Sequence, residues 1–217
     1  MNIQACIFDL DGVIVDTAKY HYQAWRRLAN SLGFDFSEAQ NEQLKGVGRM
    51  DSLEIILNIG NKVLDDVEKK ALTAQKNDWY LENIATMKSD EILPGVTHFL
   101  DELKTNHIRI ALGSASKNAV STLRKVGLLE RFEVIIDGTK TTRSKPDPQV
   151  FQLGAAGLDI APENCIVFED APKGVTAALR AGMYAIGVGS TDELSHAHAV
   201  ISSFQKIDFH KIIELLK

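Results

Sequence analysis

Ile7-Phe8-Asp9-Leu10-Asp11-Gly12-Val13-Ile14-Val15-Asp16-Thr17 is the stretch from which the rest of the chain is read. The apolar run from Ile3 to Phe8 predicts a strand buried on both faces. It breaks into two aspartates two positions apart, whose side chains leave an extended chain on the same side. Asp9 and Asp11 are therefore expected to face one crevice just past a strand end, where open α/β sheets bind ligands. Two carboxylates there are costly unless a cation, a donor or a shared proton compensates them. Gly12 permits a sharp exit that a Cβ would resist.

Working outward, residues 16–32 carry helical periodicity, with Tyr20, Ala24, Leu28 and Leu32 on one face and Gly33 as a stop. Further helices are predicted at Ala39–Leu44, Met50–Ile59 and Val67–Ile84, with no strand among them. After Pro94-Gly95 comes a helix over Val96–Lys104, and then strands and helices alternate. Strands are predicted at Ile108–Gly113, Val134–Ile136, Cys165–Phe168, Ala185–Val188 and Val200-Ile201. Helices are predicted at Lys117–Val126 with Ser116 as N-cap, Gln149–Ala156, Lys173–Ala181 and His210–Leu216 with Asp208 as cap. This order implies an α/β fold, a doubly wound parallel sheet with an inserted α-helical unit. Residues 1–16 and 88–217 form the core domain in this reading, and 17–87 a helical cap. The connections near Asp16-Thr17 and Ala85–Asp90 would then act as a hinge, letting the cap close and exclude water.

Composition narrows the functional classes. The 217 residues are 45% hydrophobic and 24% charged, with a net charge of −5, values ordinary for a soluble globular protein. Such a balance argues against nucleic-acid binding, and any cations that hold an anionic substrate must be placed locally. Cys6 and Cys165 sit in apolar runs and read as small buried residues. With neither a leader nor a long apolar run, no membrane association is expected, and the expected location is cytoplasmic.

Four strand ends supply a chemical set: Asp9 and Asp11; Gly113-Ser114-Ala115-Ser116-Lys117-Asn118; Lys145-Pro146-Asp147-Pro148; and Glu169-Asp170. The set suits phosphoryl transfer. Asp9 can attack as a carboxylate nucleophile and hold the phosphoryl group. Mg²⁺, held by Asp9 and Asp170, would offset the repulsion between carboxylate and phosphate. Lys145 would lower the pKa of the nucleophile. Ser114 and backbone N–H groups at the next helix N-terminus can bind phosphate oxygens. Asp11 is then the general acid/base.

These motifs resemble those of the haloacid dehalogenase (HAD) superfamily: Asp-Leu-Asp-Gly-Val-Ile-Val-Asp-Thr, a serine after the second core strand, Ser-Lys-Pro-Asp-Pro, and Phe-Glu-Asp. The helical insert lies where that superfamily places its C1-type cap. Within it, the chain is similar to the β-phosphoglucomutase family through Thr17, His21, Leu44-Lys45-Gly46-Val47-Gly48-Arg49, Lys76-Asn77-Asp78 and Ser114–Asn118. The resemblance implies conversion of β-glucose 1-phosphate to glucose 6-phosphate, with β-glucose 1,6-bisphosphate as intermediate and activator. It implies Asp9, Asp170 and the backbone carbonyl of Asp11 as Mg²⁺ ligands, with Glu169 a ligand or just behind one. It implies substrate or phosphate binding by Thr17, His21, Lys45, Gly46, Val47, Arg49, Ser52, Lys76, Ser114, Ala115, Ser116, Lys117 and Asn118. His21 and Lys76 would also be linked to cap closure. The expected partners are small sugar phosphates, and the expected state is a monomer.

A bisphosphate that binds in either orientation needs phosphate ligands at both ends, and Arg49 can supply a bidentate one far from Asp9. Two departures stand out. Gly48 replaces an expected serine, which would loosen the loop or alter a sugar contact. Glu169-Asp170-Ala171-Pro172-Lys173-Gly174 looks more like the phosphatases of the superfamily. A sugar-phosphate phosphatase and a non-catalytic phosphate sensor are the alternatives. Blander readings apply to other residues: Trp25 and Trp79 as packing, Lys45 and Lys76 as solvated, His196 and His198 as loop residues.

Overall fold

The structure, a computed structural model, describes residues 2–217; Met1, counted above in the core segment, lies outside the described residues. Six short strands form one parallel sheet: β1 (Ala5–Phe8), β2 (Arg109–Gly113), β3 (Val134–Ile136), β4 (Cys165–Glu169), β5 (Tyr184–Val188) and β6 (Ala199–Ile201). Their order is β3-β2-β1-β4-β5-β6. β1 lies between β2 and β4, with Phe8 opposite Leu112 on one side and Phe168 on the other. The winding reverses direction at β1, so the crevice for a ligand opens at its carboxyl end, where Asp9 follows.

Helices α1 (Ala18–Ser31), α2 (Glu38–Asn41), α3 (Arg49–Ile59) and α4 (Asp66–Ile84) lie between β1 and β2, followed by α5 (Val96–Thr105). The later helices are α6 (Ala119–Lys125), α7 (Gln149–Leu158), α8 (Pro172–Arg180), α9 (Thr191–Leu194) and α10 (Phe209–Leu215). Alternate β1 residues point to opposite sheet faces. Cys6 and Phe8 join the core under α5, α6 and α10, and Ala5 and Ile7 the core under α7 and α8. Phe8 stacks on Phe168 with ring centroids 4.9 Å apart, and Phe99 packs on Phe168 at 5.4 Å. These rings fix the strand ends next to Asp9 and Glu169. The inserted helices have their own core of Trp25, Leu28, Phe36, Leu53 and Ile56. α4 starts on a capping box: Asp65 Oδ1 accepts from the Val67 and Glu68 N–H groups, each at 2.8 Å, and Glu68 accepts from Asp65 N–H at 2.9 Å.

Several local expectations are corrected. β1 begins at Ala5, not Ile3, and β4 runs one residue further, pairing Glu169 with Gly187. The four-residue α9 has too little length to show a periodicity. Ser116 does not cap α6; Asn118 holds the N-cap position. Instead Ser114 Oγ accepts from Ser116 N–H at 3.0 Å and Ser116 Oγ from Asn118 N–H at 3.2 Å, so this segment curls at the crevice before turning helical.

The two connections to the inserted helices run side by side. Val15 and Ile92 form an antiparallel bridge, Asp16 N–H donates to Glu91 C=O at 3.2 Å, and Leu93 N–H to Ile14 C=O at 3.0 Å.

Candidate active site

Beyond Asp9 the chain turns back at once. Leu10 C=O accepts from Ile14 N–H at 2.9 Å and Val15 N–H at 3.1 Å, and Gly12 sits at φ +82°. A Cβ on Gly12 would overlap the Asp170 carboxylate, so a side chain there is excluded by φ and by space. Lys145, buried under the crevice, places its Nζ 2.5 Å from Asp9 Oδ1 and 2.5 Å from Glu169 Oε1. Burial opposes its charge, but Asp9 and Glu169 outweigh that and raise its pKa above the usual lysine value.

Asp9, Glu169 and Asp170 bring carboxylate oxygens within 4.8 Å of one another. Burial first, then Asp9, pushes Glu169 up to about 7 against the pull of Lys145. Burial, then Glu169 and Asp9, drives Asp170 well above the usual carboxylate range. One lysine does not neutralise two buried carboxylates and a half-buried third, and a hard divalent cation with oxygen ligands fits the remainder. Glu169 has both oxygens engaged, one by Lys145 and the other by Ala171 N–H at 2.9 Å. Open carboxylate oxygens therefore come from Asp9 and Asp170.

Asp11 stands at the crevice mouth, where the hydroxyl of the fully buried Thr17 donates to its Oδ1. Burial and then Asp9 push Asp11 up to about 6, against Thr17, Lys145 and Lys76. Such a carboxyl can hold or release a proton near neutrality. His21 Nε2 lies 3.9 Å from Asp11 Oδ1, while its Nδ1 is 2.9 Å from Lys76 Nζ. Burial, Lys76 and Arg49 keep His21 well below its usual pKa. With an ammonium donating to Nδ1, the ring proton belongs on Nε2, facing Asp11.

Basic side chains line the same pocket as these carboxylates. Its lining joins Asp9, Asp11 and Asp170 to His21, Lys45, Gly46, Val47, Arg49, Ser52 and Lys76 from the inserted segment, and to Ala115, Ser116 and Lys117 from the core. Lys76 is 2% exposed, against the solvated reading, with its Nζ 4.3 Å from the Trp25 ring centre. Lys45 is partly exposed and pairs with Glu42 at 2.6 Å. Five of the residues singled out from sequence do not line this pocket. Thr17, Lys145 and Glu169 stand behind Asp11 and Asp9. Ser114 is fully buried, its hydroxyl turned to Ser116 N–H, and lines an adjoining polar cleft with Lys145, Arg143 and Ser144. Asn118 is tied to Asn77 on α4. Trp25 and Asn41 line the pocket although the sequence marks neither as a ligand. Trp25, read there as packing, does both, as its place in the insert core shows.

A model of the family described as haloacid dehalogenase-like hydrolase matches residues 3–182. The chain belongs to that family. Its relatives carry both kinds of name considered above. The chain is 40% identical over 201 residues, 92% of its length and 89% of the relative's, to a protein from Bacillus subtilis named β-phosphoglucomutase. It is 31% identical over 93% of its length and 91% of the relative's to a phosphorylated carbohydrates phosphatase from Thermotoga maritima. A crystal structure of β-phosphoglucomutase from Clostridium difficile superposes with a TM-score of 0.96 at 44% identity, covering 99% of this chain and 97% of the other. The family fold thus accounts for the whole chain, insert included.

Proposed function

We propose that the protein is a Mg²⁺-dependent β-phosphoglucomutase, interconverting β-glucose 1-phosphate and glucose 6-phosphate. The observation that carries this reading is one pocket that joins the carboxylates of Asp9, Asp11 and Asp170 to a further set of candidate phosphate ligands, Arg49, Ser116 and Lys117, that hydrolysis of a monophosphate would not require. The 40% identity to the Bacillus subtilis enzyme supports it. Residues 17–87 serve as a cap over the core of 1–16 and 88–217.

Asp9, Asp170 and the backbone carbonyl of Asp11 would hold Mg²⁺, and Glu169 fixes Lys145 behind them. The ion, when bound, neutralises phosphate charge facing the nucleophile. Phospho-Asp9 gives its phosphoryl group to the C6 hydroxyl of β-glucose 1-phosphate, and Asp11 takes the hydroxyl proton. The resulting β-glucose 1,6-bisphosphate turns end for end. Asp9 then attacks the C1 phosphorus, and Asp11 returns its proton to the leaving C1 oxygen, releasing glucose 6-phosphate. Throughout, Arg49, Ser116, Lys117 and Asn118 hold the phosphate that is not transferring. Thr17 orients Asp11, and Lys145 keeps Asp9 ionised. Lys45, Gly46, Val47 and Ser52 shape the sugar site, with Ser114 and Ala115 beside the transferring phosphate. The bisphosphate is also the activator that phosphorylates Asp9. Among the described residues no helix is long and apolar enough to cross a membrane.

The test supplies β-glucose 1-phosphate, Mg²⁺ and a trace of bisphosphate, and follows glucose 6-phosphate and free phosphate together. Glucose 6-phosphate without matching phosphate release is expected. Phosphate release alone, across many sugar phosphates, would replace this reading with the phosphatase one.

A further inference from the structure

Asn77 lies on α4, next to Lys76 and apart from the residues assigned above. Its side-chain oxygen accepts two hydrogen bonds, from Arg49 Nη2 at 2.7 Å and from Asn118 Nδ2 at 2.9 Å. Arg49 and Asn77 belong to the inserted helices, while Asn118 precedes α6 of the core. One carbonyl oxygen thus joins the insert to the core and holds two of the groups assigned to the distal phosphate. An arginine has no acceptor, so the oxygen, not the amide nitrogen, of Asn77 must face it. Among the described residues, Arg49 has no carboxylate partner.

We infer that Asn77 is a positioning residue for the distal-phosphate clamp: its neutral oxygen orients Arg49 and Asn118 toward one another without cancelling the arginine charge that the phosphate needs. The inference rests on the assignment of Arg49 and Asn118 to that phosphate. The choice of side chain follows from electrostatics. A carboxylate at this position would bond the guanidinium more strongly, but it would neutralise it and repel an incoming phosphate. A carboxamide supplies the same acceptor geometry with no net charge. The arrangement also makes closure and clamp assembly a single event, because the Asn118 contact exists only when α4 rests against the core.

Asn77→Asp and Asn77→Ala separate this role from a merely structural one. Titration calorimetry of glucose 6-phosphate into the metal-free protein reads the clamp without turnover. Asn77→Asp is expected to weaken binding about tenfold or more, and Asn77→Ala less. A structural latch predicts the reverse order, since aspartate keeps both hydrogen bonds and alanine loses them. In turnover, Asn77→Asp should raise KM for β-glucose 1-phosphate far more than it lowers kcat. Hydrolysis of a small aryl phosphate, which has no distal phosphate, should fall much less and serves as the folding control. Equal affinity in all three proteins, or a larger loss for alanine, would overturn the inference. Absent sugar isomerisation by the wild type, with the calorimetric order intact, would overturn the mutase reading and leave this one standing.

Discussion

Two buried lysines in this site are driven in opposite directions by their neighbours. Lys145 lies between two carboxylates and stays charged. Lys76 contacts no carboxylate at hydrogen-bond distance; burial, and then Arg49, lower its pKa to about 7 against the pull of Asp11. The unfolded chain should titrate near the ordinary value of 10.5. Between pH 7 and 10.5 the unfolded state therefore carries a proton the folded state has lost, so stability rises with pH through that window and is lowest below it. The rings of Trp25 and Tyr80, 4.3 and 5.1 Å from Nζ, offset part of the desolvation. Lys76→Met keeps the stem and removes the charge. It should stabilise the unliganded protein by roughly 2 kcal/mol at pH 6, with the gain fading by about pH 10.5. Urea denaturation at pH 6 and at pH 10 measures this, and equal gains at both values would refute the electrostatic account. The cost falls on function, since the cation is removed from the phosphate-facing pocket.

At the scale of elements, the loop entering α3 shows what a glycine means only once its neighbour is known. Gly48 has φ −63°, so no conformational demand selects it. A Cβ there would meet Ser144 Oγ, so a side chain at 48 requires the Ser144 hydroxyl, on the core loop that delivers Lys145, to turn aside. To the sequence reading of Gly48, a loosened loop or an altered sugar contact, the structure adds a close approach between insert and core. Gly48→Ser should push the start of α3, and Arg49 with it, off the core and lower kcat/KM for sugar isomerisation about tenfold. Adding Ser144→Ala should recover most of that loss, because the two positions share one space. No recovery in the double variant would place the defect elsewhere. The same contrast governs what was legible beforehand. The strands could be read because β1, β2, β4 and β5 are almost wholly buried and so nearly all apolar. The carboxylates and Lys145 could be read because each closes an apolar run or follows a turn-rich loop. The bonds of Asn77 to Arg49 and Asn118, the Gly48–Ser144 approach and the burial of Lys76 could not, because each depends on contacts between segments remote in sequence, and local pattern carries no signal for those. Ser116 was misread as a cap because a serine before a helix also serves a turn, and here Asn118 N–H claims its hydroxyl.

For the whole molecule, the proposed choice between water and sugar as phosphoryl acceptor depends on how the cap is held. Its two connections are hydrogen-bonded to each other, so in the proposed mechanism the cap would turn about a paired hinge. One carboxylate spans that hinge: Glu91, on the second connection, accepts from Lys19 Nζ and from Tyr20 OH, each at 2.6 Å, and both donors lie on α1. α1 is also preceded directly by Thr17, at its N-cap position, which holds Asp11. In the proposed mechanism the orientation of α1 would therefore couple closure of the cap to the placement of Asp11. Glu91→Gln keeps the size and one acceptor but weakens both bonds. Because the Lys19 end of the contact is largely exposed, the fold should lose little, with a melting temperature close to that of the wild type. The looser hinge should admit water to phospho-Asp9 more often, so free phosphate released per glucose 6-phosphate formed should rise severalfold at saturating substrate. A shift in that ratio with the melting temperature unchanged locates control of the acceptor in the hinge. An unchanged ratio would leave it to the clamp at Arg49 and Asn118, where Asn77 provides the contact between cap and core.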